Sequence, residues 1–583
     1  AGLLAQAGEG DAPLSPEARA ELTKARALYE TLELEVPLSD YAAEAAAALP
    51  RIDARLGARS KADALAFERS LAKSRIEDEL KRGRYKAVIQ DVDALLKGAK
   101  VPVALRCEAL YLKASAIFKQ RKRADARTVY ERAAKECKRA GADHKDTLVK
   151  SRYQAGRGRY AEGKYARAAR EFEALATDAR DHSYADDALV LAGESWASAG
   201  QRDKERRAYE RALSDHPDGD MTGEARRRLL VMAFADKRLE DALALADEGL
   251  ARERDRKLIA KMHYFRGRAL AGLTRADEAE AAWIAAIEAA PLDYPAFQAL
   301  SRLREVGEEA FARGVAVLER AGDEAVPSLE LPASEEATRA ALLARLGLGA
   351  EAAEELSAAG IDGWPAAAVL AQAGLWEASQ RAVGRVGASW RERPPAGTAR
   401  AMWELAHPLA FSRLVREGES SRGVPAFLTF AIMQTESRFN PGATSWAGAR
   451  GLLQMMPSTA KGVAKRAGVE DHSPARLYNP EYNLGLGIFH LGELVARFGG
   501  EDAAVPLAIP GYNAGAGAVD KWLTERGDWD LDLFIESIPY DETRKYTQSV
   551  LGRWYAYRWI HGPKDQDARR KIPYLPTAIP KKE

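Results

Sequence analysis

Apolar side chains recur at a long and nearly constant spacing between about residues 84 and 290. The series consists of Val92, Tyr130, Phe172, Tyr209, Ala246 and Trp283. Its members are 38, 42, 37, 37 and 37 residues apart. Most of them have small or aliphatic residues four positions before and four positions after, and residues at this spacing lie on one face of a helix. Pro217 and Pro291 follow two of these stripes, where a proline ends a helix. The pattern predicts a stack of helical repeats.

The order of a small residue, an aromatic residue and a terminal proline resembles the second helix of tetratricopeptide repeats, with a few more residues in each unit. The resemblance implies helix pairs that stack into a curved superhelix with a large concave surface. That surface offers a place for partner proteins. We expect the aromatic column itself to form the core between repeats.

Further helical segments flank the array, over about 15–80 and 310–393, and the Pro394-Pro395-Ala396-Gly397 stop follows them. Beyond this stop the composition changes, and six of the eleven tryptophans lie there. We therefore expect three domains. They are an α-superhelical repeat domain over 1–310, a helical linker domain over 311–400 and a third domain over 401–583.

The third domain contains one helix that is apolar nearly all round. In Phe427 to Met433 only Thr429 is not apolar, so this helix is expected in a core. Asn440-Pro441-Gly442 stops it and places Glu436 near its carboxyl end. The helix dipole and partial desolvation both favour the protonated carboxyl there, which suits a general acid.

Composition excludes several classes of function. Lys and Arg number 87 against 86 Asp and Glu, so no nucleic-acid partner is expected. No apolar run approaches the ~20 residues that span a bilayer, and the first residues lack the pattern of a signal peptide.

The chain begins with Ala, which fits removal of an export signal or trimming of the chain. Cys107 and Cys137 can form one bridge or remain two buried thiols.

Five blocks follow in order from the apolar helix onward. They are Glu436-Ser437, GARGLLQMMP at 448–457, Asn479-Pro480 with Asn483 and Gly487, GYNAG at 511–515, and ESIPYDETRKY at 536–546. They resemble the catalytic domain of lytic transglycosylases with a goose-lysozyme-like fold, over roughly residues 403 to 560. The resemblance implies a mainly α protein, in which a TPR-like superhelix and a helical linker precede a lysozyme-like, mostly helical α+β domain.

That family cleaves peptidoglycan between N-acetylmuramic acid and N-acetylglucosamine and leaves a 1,6-anhydromuramic acid end. The resemblance implies that Glu436 acts first as acid and then as base. It implies further residues that bind the sugar or organise the site: Ser445, Gln454, Met456, Tyr512, Asn513 and Glu536. No cofactor is expected, and no metal, because no HExxH or histidine cluster occurs.

Two other functions compete with this hypothesis. A muramidase would hydrolyse the same bond with water and would need a usable second carboxylate. A scaffold would recruit envelope proteins through its repeats while the lysozyme-like domain only held glycan. The resemblance places the protein in the periplasm, with peptidoglycan glycan strands as the main partner and cell-envelope proteins as partners of the repeats.

Overall fold

The computed structural model describes residues 14–57, 59–98, 100–321, 327–563 and 575–579 of the 583-residue chain. The chain divides into two compact units, Ala1–Arg226 and Arg227–Glu583. Secondary structure in the described residues is helical, and β-structure is limited to isolated bridges. A mainly helical fold is therefore confirmed.

Ten α-helices lie in the described part of the first unit, and successive helices pack against each other in pairs. They are α1 Pro16–Glu35, α2 Asp40–Leu56, α3 Lys61–Lys81, α4 Tyr85–Lys97, α5 Val103–Lys119, α6 Arg123–Ala140, α7 Lys145–Ala161, α8 Tyr165–Asp178, α9 Ala185–Ser198 and α10 Arg202–Asp215. Helix α11, Thr222–Ala235, contains the point at which the two units meet in sequence. Pro217 comes just after α10, as the sequence pattern predicts.

The repeating column is buried throughout, from Val92 at 0% exposure to Trp283 at 4%. Its larger rings lie against glycines of the preceding helix. A methyl group added at Gly193 would lie 2.3 Å from the Tyr209 ring, and one added at Gly156 would lie 2.6 Å from the ring of Phe172. In both pairs the ring comes sixteen residues after the glycine. The prediction that the column forms core is therefore confirmed.

A disulfide bond joins Cys107 of α5 to Cys137 of α6. The sequence left a bridge and two separate thiols open. Both residues are fully buried and face each other across the helix pair, 30 positions apart in sequence. The bond therefore crosslinks one repeat internally.

The second unit continues the repeats and then carries the five motif blocks. Its helices are α12 Leu239–Arg252, α13 Arg256–Gly272, α14 Ala276–Ala289, α15 Tyr294–Val306, α16 Glu308–Glu319, α17 Glu335–Arg345, α18 Gly349–Ala358, α19 Gly363–Gln372, α20 Trp376–Arg385, α21 Ala399–Ala406, α22 Ser412–Arg422, α23 Leu428–Glu436, α24 Pro457–Arg466, α25 Pro480–Arg497, α26 Val505–Ala514, α27 Ala516–Arg526, α28 Leu531–Glu536 and α29 Asp541–His561. One hydrophobic core runs through it, from Leu230 to Ile579.

Polar and aromatic contacts link the late helices of this unit to its early ones. Asp532 of α28 is 5% exposed and accepts hydrogen bonds at both carboxylate oxygens from Arg268 of α13 (2.6 Å each). The rings of Phe297 in α15 and Tyr555 in α29 lie 4.7 Å apart. The predicted boundaries near 310 and 400 thus fall inside one core, and the three-domain division stays a prediction.

Candidate active site

Helix α23 carries Glu436 as its last residue. Residues 428–433 are all buried, which explains why the run is apolar on every face. The Ser437 N–H closes the last turn on the carbonyl of Met433, and the Asn440-Pro441-Gly442 stop follows. Glu436 is half-buried and lies where the chain leaves the core.

A second glutamate fixes the other end of α23. Glu419 of α22 is 4% exposed, and its carboxylate accepts hydrogen bonds from the N–H groups of Phe427 (3.0 Å) and Thr429 (2.8 Å). Phe427 has a φ of +72°, which is unfavourable for a bulky side chain. Burial raises the pKa of Glu419 to about 7, although the two N–H groups oppose the shift. The helix that carries Glu436 is therefore held at its start by a buried carboxyl.

The surroundings of Glu436 favour its protonated form. Burial raises the pKa of this carboxyl to about 7. The hydroxyl of Tyr546 lowers the pKa, whereas the negative charge of Glu542 raises it. Near neutral pH Glu436 can therefore both donate and accept a proton.

Two tyrosines of the later blocks lie close enough to Glu436 to sense its charge. The pKa values of Tyr512 and Tyr546 are both raised well above 10, first by burial and then by the Glu436 carboxylate. The Tyr512 hydroxyl donates to the carbonyl of Leu453 (2.8 Å), and its ring lies 5.7 Å from that of His490. The Tyr546 hydroxyl is buried, and no hydrogen bond of ordinary geometry engages it among the described residues.

Tyr546 is the site residue that sequence reasoning missed. Its signal was present, because it closes the last motif block, but Glu536 was the one residue of that block predicted to belong to the site. The structure shows that Tyr546 presents its hydroxyl to Glu436 and shifts the pKa of this carboxyl.

The loop that follows Glu436 folds back on itself. The Ser445 hydroxyl accepts a hydrogen bond from the Ala449 N–H (3.0 Å), and Arg450 forms isolated bridges with Thr444 and Met455. Gln454, at φ +46°, donates its side-chain N–H groups to two backbone carbonyls of this loop. Ser445 and Gln454 therefore shape the loop, and the Gln454 Oε1 accepts no hydrogen bond from a described residue.

Asn483 of α25 anchors this loop to the core. It is fully buried, accepts from the Leu453 N–H (2.9 Å) and donates to the carbonyls of Arg450 (3.0 Å) and Leu477 (2.8 Å). Gly451, at φ +76°, lies so close that an added methyl group would come within 2.0 Å of the Leu477 carbonyl oxygen. The NP-x-x-N block and the GLLQ block therefore pack against each other through Asn483.

Three further side chains reach the surface around this loop. Met456 is 39% exposed directly before α24, and Trp446 is 89% exposed directly after Ser445. Asn513 is exposed, and its Oδ1 accepts from the Thr543 hydroxyl (2.6 Å). Met456 and Asn513 are thus accessible to a ligand.

Glu536 differs from the other predicted substrate-binding residues, because the structure places it in the interior. It is 1% exposed, and its Oε1 pairs with Lys261 of α13 (2.8 Å) and accepts from Gln548 (2.9 Å). Its Oε2 is buried without a hydrogen-bond partner among the described residues. This environment favours a role in packing α28 against α13, and its sugar-binding role stays a prediction.

One group of carboxylates has the spacing of metal ligands in the described chain. Oxygens of Asp186, Asp187 and Asp220 lie within 4.8 Å of one another, in the first unit. Asp186 accepts from the Met221 N–H (3.0 Å), and Asp187 accepts from the Tyr153 hydroxyl (3.4 Å). The trio belongs to the packing between neighbouring repeats and does not include Glu436.

Comparison with known families decides the nature of the Glu436 region. The family model of the Transglycosylase SLT domain matches residues 413–535. The chain carries a transglycosylase SLT domain. The resemblance to lytic transglycosylases that the motif blocks indicated is therefore confirmed.

Relatives of the SLT domain include the "Soluble lytic murein transglycosylase" of Escherichia coli, which is 37% identical over 159 residues. That match covers 27% of this chain and 24% of the relative. The "Membrane-bound lytic murein transglycosylase C" of Mannheimia succiniciproducens is 38% identical over 132 residues, or 22% of this chain and 37% of the relative. The chain thus spans about a quarter of the length of the first curated relatives it matches.

Among solved structures, lytic transglycosylase Slt from Pseudomonas aeruginosa aligns with 97% of this chain and 92% of its own, at 20% identity and a TM-score of 0.49. The 70 kDa soluble lytic transglycosylase of Escherichia coli aligns with 93% of this chain and 98% of its own, at 19% identity and a TM-score of 0.46. No helix among the described residues is both long and apolar enough to cross a membrane.

Proposed function

We propose that the protein is a lytic transglycosylase of peptidoglycan. It cleaves the glycosidic bond between N-acetylmuramic acid and N-acetylglucosamine and leaves a 1,6-anhydromuramic acid end. Glu436 carries the proposal, because this carboxyl of the SLT domain has a pKa raised to about 7 and can donate and then accept a proton at neutral pH.

In the first step, protonated Glu436 donates its proton to the bridging oxygen, and the bond from that oxygen to C1 of the muramic acid breaks. The acetamido oxygen of the same sugar stabilises the positive charge that develops at C1. In the second step, the 6-hydroxyl attacks C1 and the Glu436 carboxylate accepts its proton. Glu436 ends the cycle protonated, and no water is consumed.

The surrounding residues position the sugar and tune the acid. The exposed Met456 packs on an apolar sugar face. The free Oε1 of Gln454 and the side chain of Asn513 offer hydrogen bonds to acetamido and hydroxyl groups. Tyr512 holds the loop through its bond to Leu453, and Tyr546 keeps its hydroxyl available to the reacting oxygens.

One observation favours the competing muramidase. Glu542, at the start of α29, is an exposed carboxylate whose charge reaches Glu436. A hydrolase could use it as the second carboxylate that activates water. The tethered 6-hydroxyl has the advantage of an intramolecular nucleophile, with an effective concentration of up to ~10⁵ to 10⁸ M in favourable cases. We therefore expect Glu542→Gln to keep most of the activity.

Mass spectrometry of the products from purified sacculi tests the proposal. We expect muropeptides that are lighter by one water than hydrolysis products and that resist borohydride, because they lack a free reducing end. A digest dominated by reducible muramic acid ends, together with loss of activity in Glu542→Gln, would establish the muramidase instead. Binding to sacculi without any turnover would establish the glycan-binding scaffold.

The periplasm is the compartment that we propose. The disulfide between Cys107 and Cys137 supports it, because such bonds persist in oxidising compartments and peptidoglycan is found there. We further propose that the repeats bind cell-envelope proteins. A cavity of about 500 Å³ between α6, α7 and α8, lined by Arg152, Arg167 and Arg170 among others, supports this role.

A further inference from the structure

The start of α23 lacks the polar residue that usually closes the first turn of a helix. Ser, Thr, Asp and Asn are preferred there, because their side chains accept hydrogen bonds from the free N–H groups of that turn. In α23 this position is taken by Phe427, which makes no such bond, and Pro425 and Ala426 precede it. The N–H groups of this buried turn must therefore find acceptors elsewhere in the fold.

Glu419 of α22 supplies two of these acceptors. One of its carboxylate oxygens accepts from the Phe427 N–H (3.0 Å), and the other accepts from the Thr429 N–H (2.8 Å). Between them, the Leu428 N–H donates to the carbonyl of Pro425 (3.1 Å). Three consecutive N–H groups at the start of α23 are thus bonded, two of them by Glu419.

The backbone of Glu419 also closes α22. Its carbonyl oxygen accepts from the N–H groups of Gly423 and Val424, the latter at 3.0 Å. Gly423 has a φ of +62°, the left-handed conformation that commonly ends a helix. One residue therefore holds the end of α22 with its backbone and the start of α23 with its side chain.

The ionised form of Glu419 is the form that accepts at both oxygens. A protonated carboxyl would carry its O–H at an oxygen that already faces an N–H donor. Arg416, one turn earlier in α22, lowers the pKa of Glu419 through its charge, and so do the two N–H groups, but burial outweighs them and raises this pKa to about 7. The fully bonded form therefore gives way to the protonated form as the pH falls through about 7.

Two neighbouring helices complete the surroundings of Glu419. Helix α25 packs against α22, and its Phe489 ring lies beneath the guanidinium of Arg422 (4.8 Å). Helix α29 brings His561, whose ring lies 6.4 Å from that of Phe427. Burial lowers the pKa of His561, so this imidazole is mainly neutral at pH 7. Glu419 is therefore the group of this region that changes charge near neutral pH.

We infer that Glu419 is a positioning residue for the reaction: its carboxylate fixes the start of α23 and thereby the place of the Glu436 carboxyl at the other end. The inference rests on the proposed function and extends it to a residue that acts through Glu436. Helix α23 has nine residues and ends at Glu436. A helix of this length depends on its surroundings for stability, so release of its first turn moves its last one. Misplacement of a reacting group by about 1 Å can cost ~100-fold in rate.

The first test measures kcat and KM of the full chain on soluble glycan chains at pH 7. Glu419→Gln keeps the size of the side chain but turns an NH₂ group toward one of the two N–H donors. We expect kcat to fall about tenfold, which is less than the ~100-fold cost of a full 1 Å displacement, and KM to stay within about twofold. Glu419→Asp keeps the charge and should recover part of the loss.

Glu417→Gln is the matched control. Glu417 lies on the exposed face of the same helix, where it pairs with Arg413 (3.7 Å), so its substitution should leave kcat at the parent value. An unchanged kcat in Glu419→Gln, or an equal loss in Glu417→Gln, would overturn the inference.

The pH profile separates positioning from a merely structural role. In the parent, kcat/KM should decrease as the pH falls below about 7, because protonated Glu419 releases an N–H group of α23. Glu419→Gln should lack this acidic limb and keep the basic limb that Glu436 causes. An acidic limb of parent shape in Glu419→Gln would overturn the inference.

Hydrogen exchange tests the parent protein without turnover. After correction for the intrinsic exchange rate, protection of residues 427–433 should decrease between pH 8 and pH 6, and it should not change in Glu419→Gln. Turnover of glycan with pH-independent protection would reject the inference alone. A decrease in protection without turnover would leave Glu419 as the residue that fixes α23 and reject the proposed function. Neither result would reject both.

Discussion

The two units use helices in different ways. In the first unit the strongest links join neighbouring helices, such as the disulfide between residues 30 positions apart and the rings that lie against glycines of the preceding helix. In the second unit they join distant parts of the chain. Arg268 pairs with Asp532, 264 positions later, and Lys261 pairs with Glu536. One unit is therefore held by local contacts and the other by long-range ones.

This difference predicts where damage spreads. In a repeat array each helical repeat contacts mainly its neighbouring repeats, so a local defect stays local. In the second unit, a single core encloses the helix that carries Glu436, and a defect at one end reaches the site. Substitutions that separate chemistry, core stability and repeat stability can test this comparison.

The largest expected effect is on chemistry alone. Glu436→Gln keeps the shape of the side chain and removes its transferable proton, so the rate on sacculi should fall by about two to four powers of ten. Tryptophan fluorescence should show unchanged unfolding of the second unit, which contains ten of the eleven tryptophans. Retention of more than a tenth of the parent rate would reject Glu436 as the acid.

The next largest effect should be on the long-range core. Burial disfavours ionisation of Asp532, but Arg268 and Arg302 outweigh it and lower the pKa of this carboxyl. Asp532→Asn should therefore destabilise the second unit by about 3 to 5 kcal/mol, the usual loss when one partner of a buried pair is removed. Chemical unfolding followed by tryptophan fluorescence measures this loss.

The pH dependence provides the control for Asp532. Because its pKa is lowered in the fold, its contribution is present above the unfolded pKa and is lost as the pH falls through the folded value. The difference between parent and Asp532→Asn should therefore shrink in acid. A constant difference would mean that lost packing, rather than lost charge, is responsible.

A smaller and local effect should follow loss of the disulfide. Cys107→Ser together with Cys137→Ser should destabilise the repeats by about 2 to 4 kcal/mol, as is typical for such crosslinks. Hydrogen exchange should rise in α5 and α6, while turnover of short soluble glycans stays within about twofold. A comparable rise in exchange across α23 would contradict the local character of the first unit.

The smallest effect concerns the titration of Glu436. Because its pKa is raised to about 7 and the acid must be protonated, kcat/KM should fall as the pH rises through about 7. Tyr546→Phe removes a group that lowers this pKa, so the midpoint should move to higher pH. Tyr540→Phe, at an exposed ring, is the matched control and should leave the midpoint in place.

Local patterns predicted much of this molecule. The column from Val92 to Trp283 was visible because each repeat places one apolar side chain, most often a ring, at the same helical position. Helix α10 ends just before Pro217, as the pattern predicted. Glu436 was visible at a helix end because an apolar run and a stop signal bracket it. Each of these features depends on residues within one helix, or on the recurrence of one helical pattern along the chain.

Long-range packing explains what the sequence left hidden. Burial of Glu536 depends on Lys261, 275 positions earlier, and the proximity of Tyr546 to Glu436 requires helices α23 and α29 to pack together. The bond between Cys107 and Cys137 required the relative rotation of two helices.

In the repeats, a glycine of one helix forms the socket for a ring of the next helix, as Gly156 does for Phe172. These glycine sockets also restrict where residues can be inserted into the chain. One residue inserted within α8 before Phe172 would rotate the ring by about 100° away from Gly156. The irregular repeat obeys this limit. Its step from Tyr130 to Phe172 is 42 residues, yet the socket-to-ring distance stays at sixteen, and the surplus lies in the long α6 and the 3₁₀ turn Ala142–His144. Insertions are therefore tolerated between a ring and the glycine of the next pair, and they disrupt packing when they fall in the helical residues that lead to a ring.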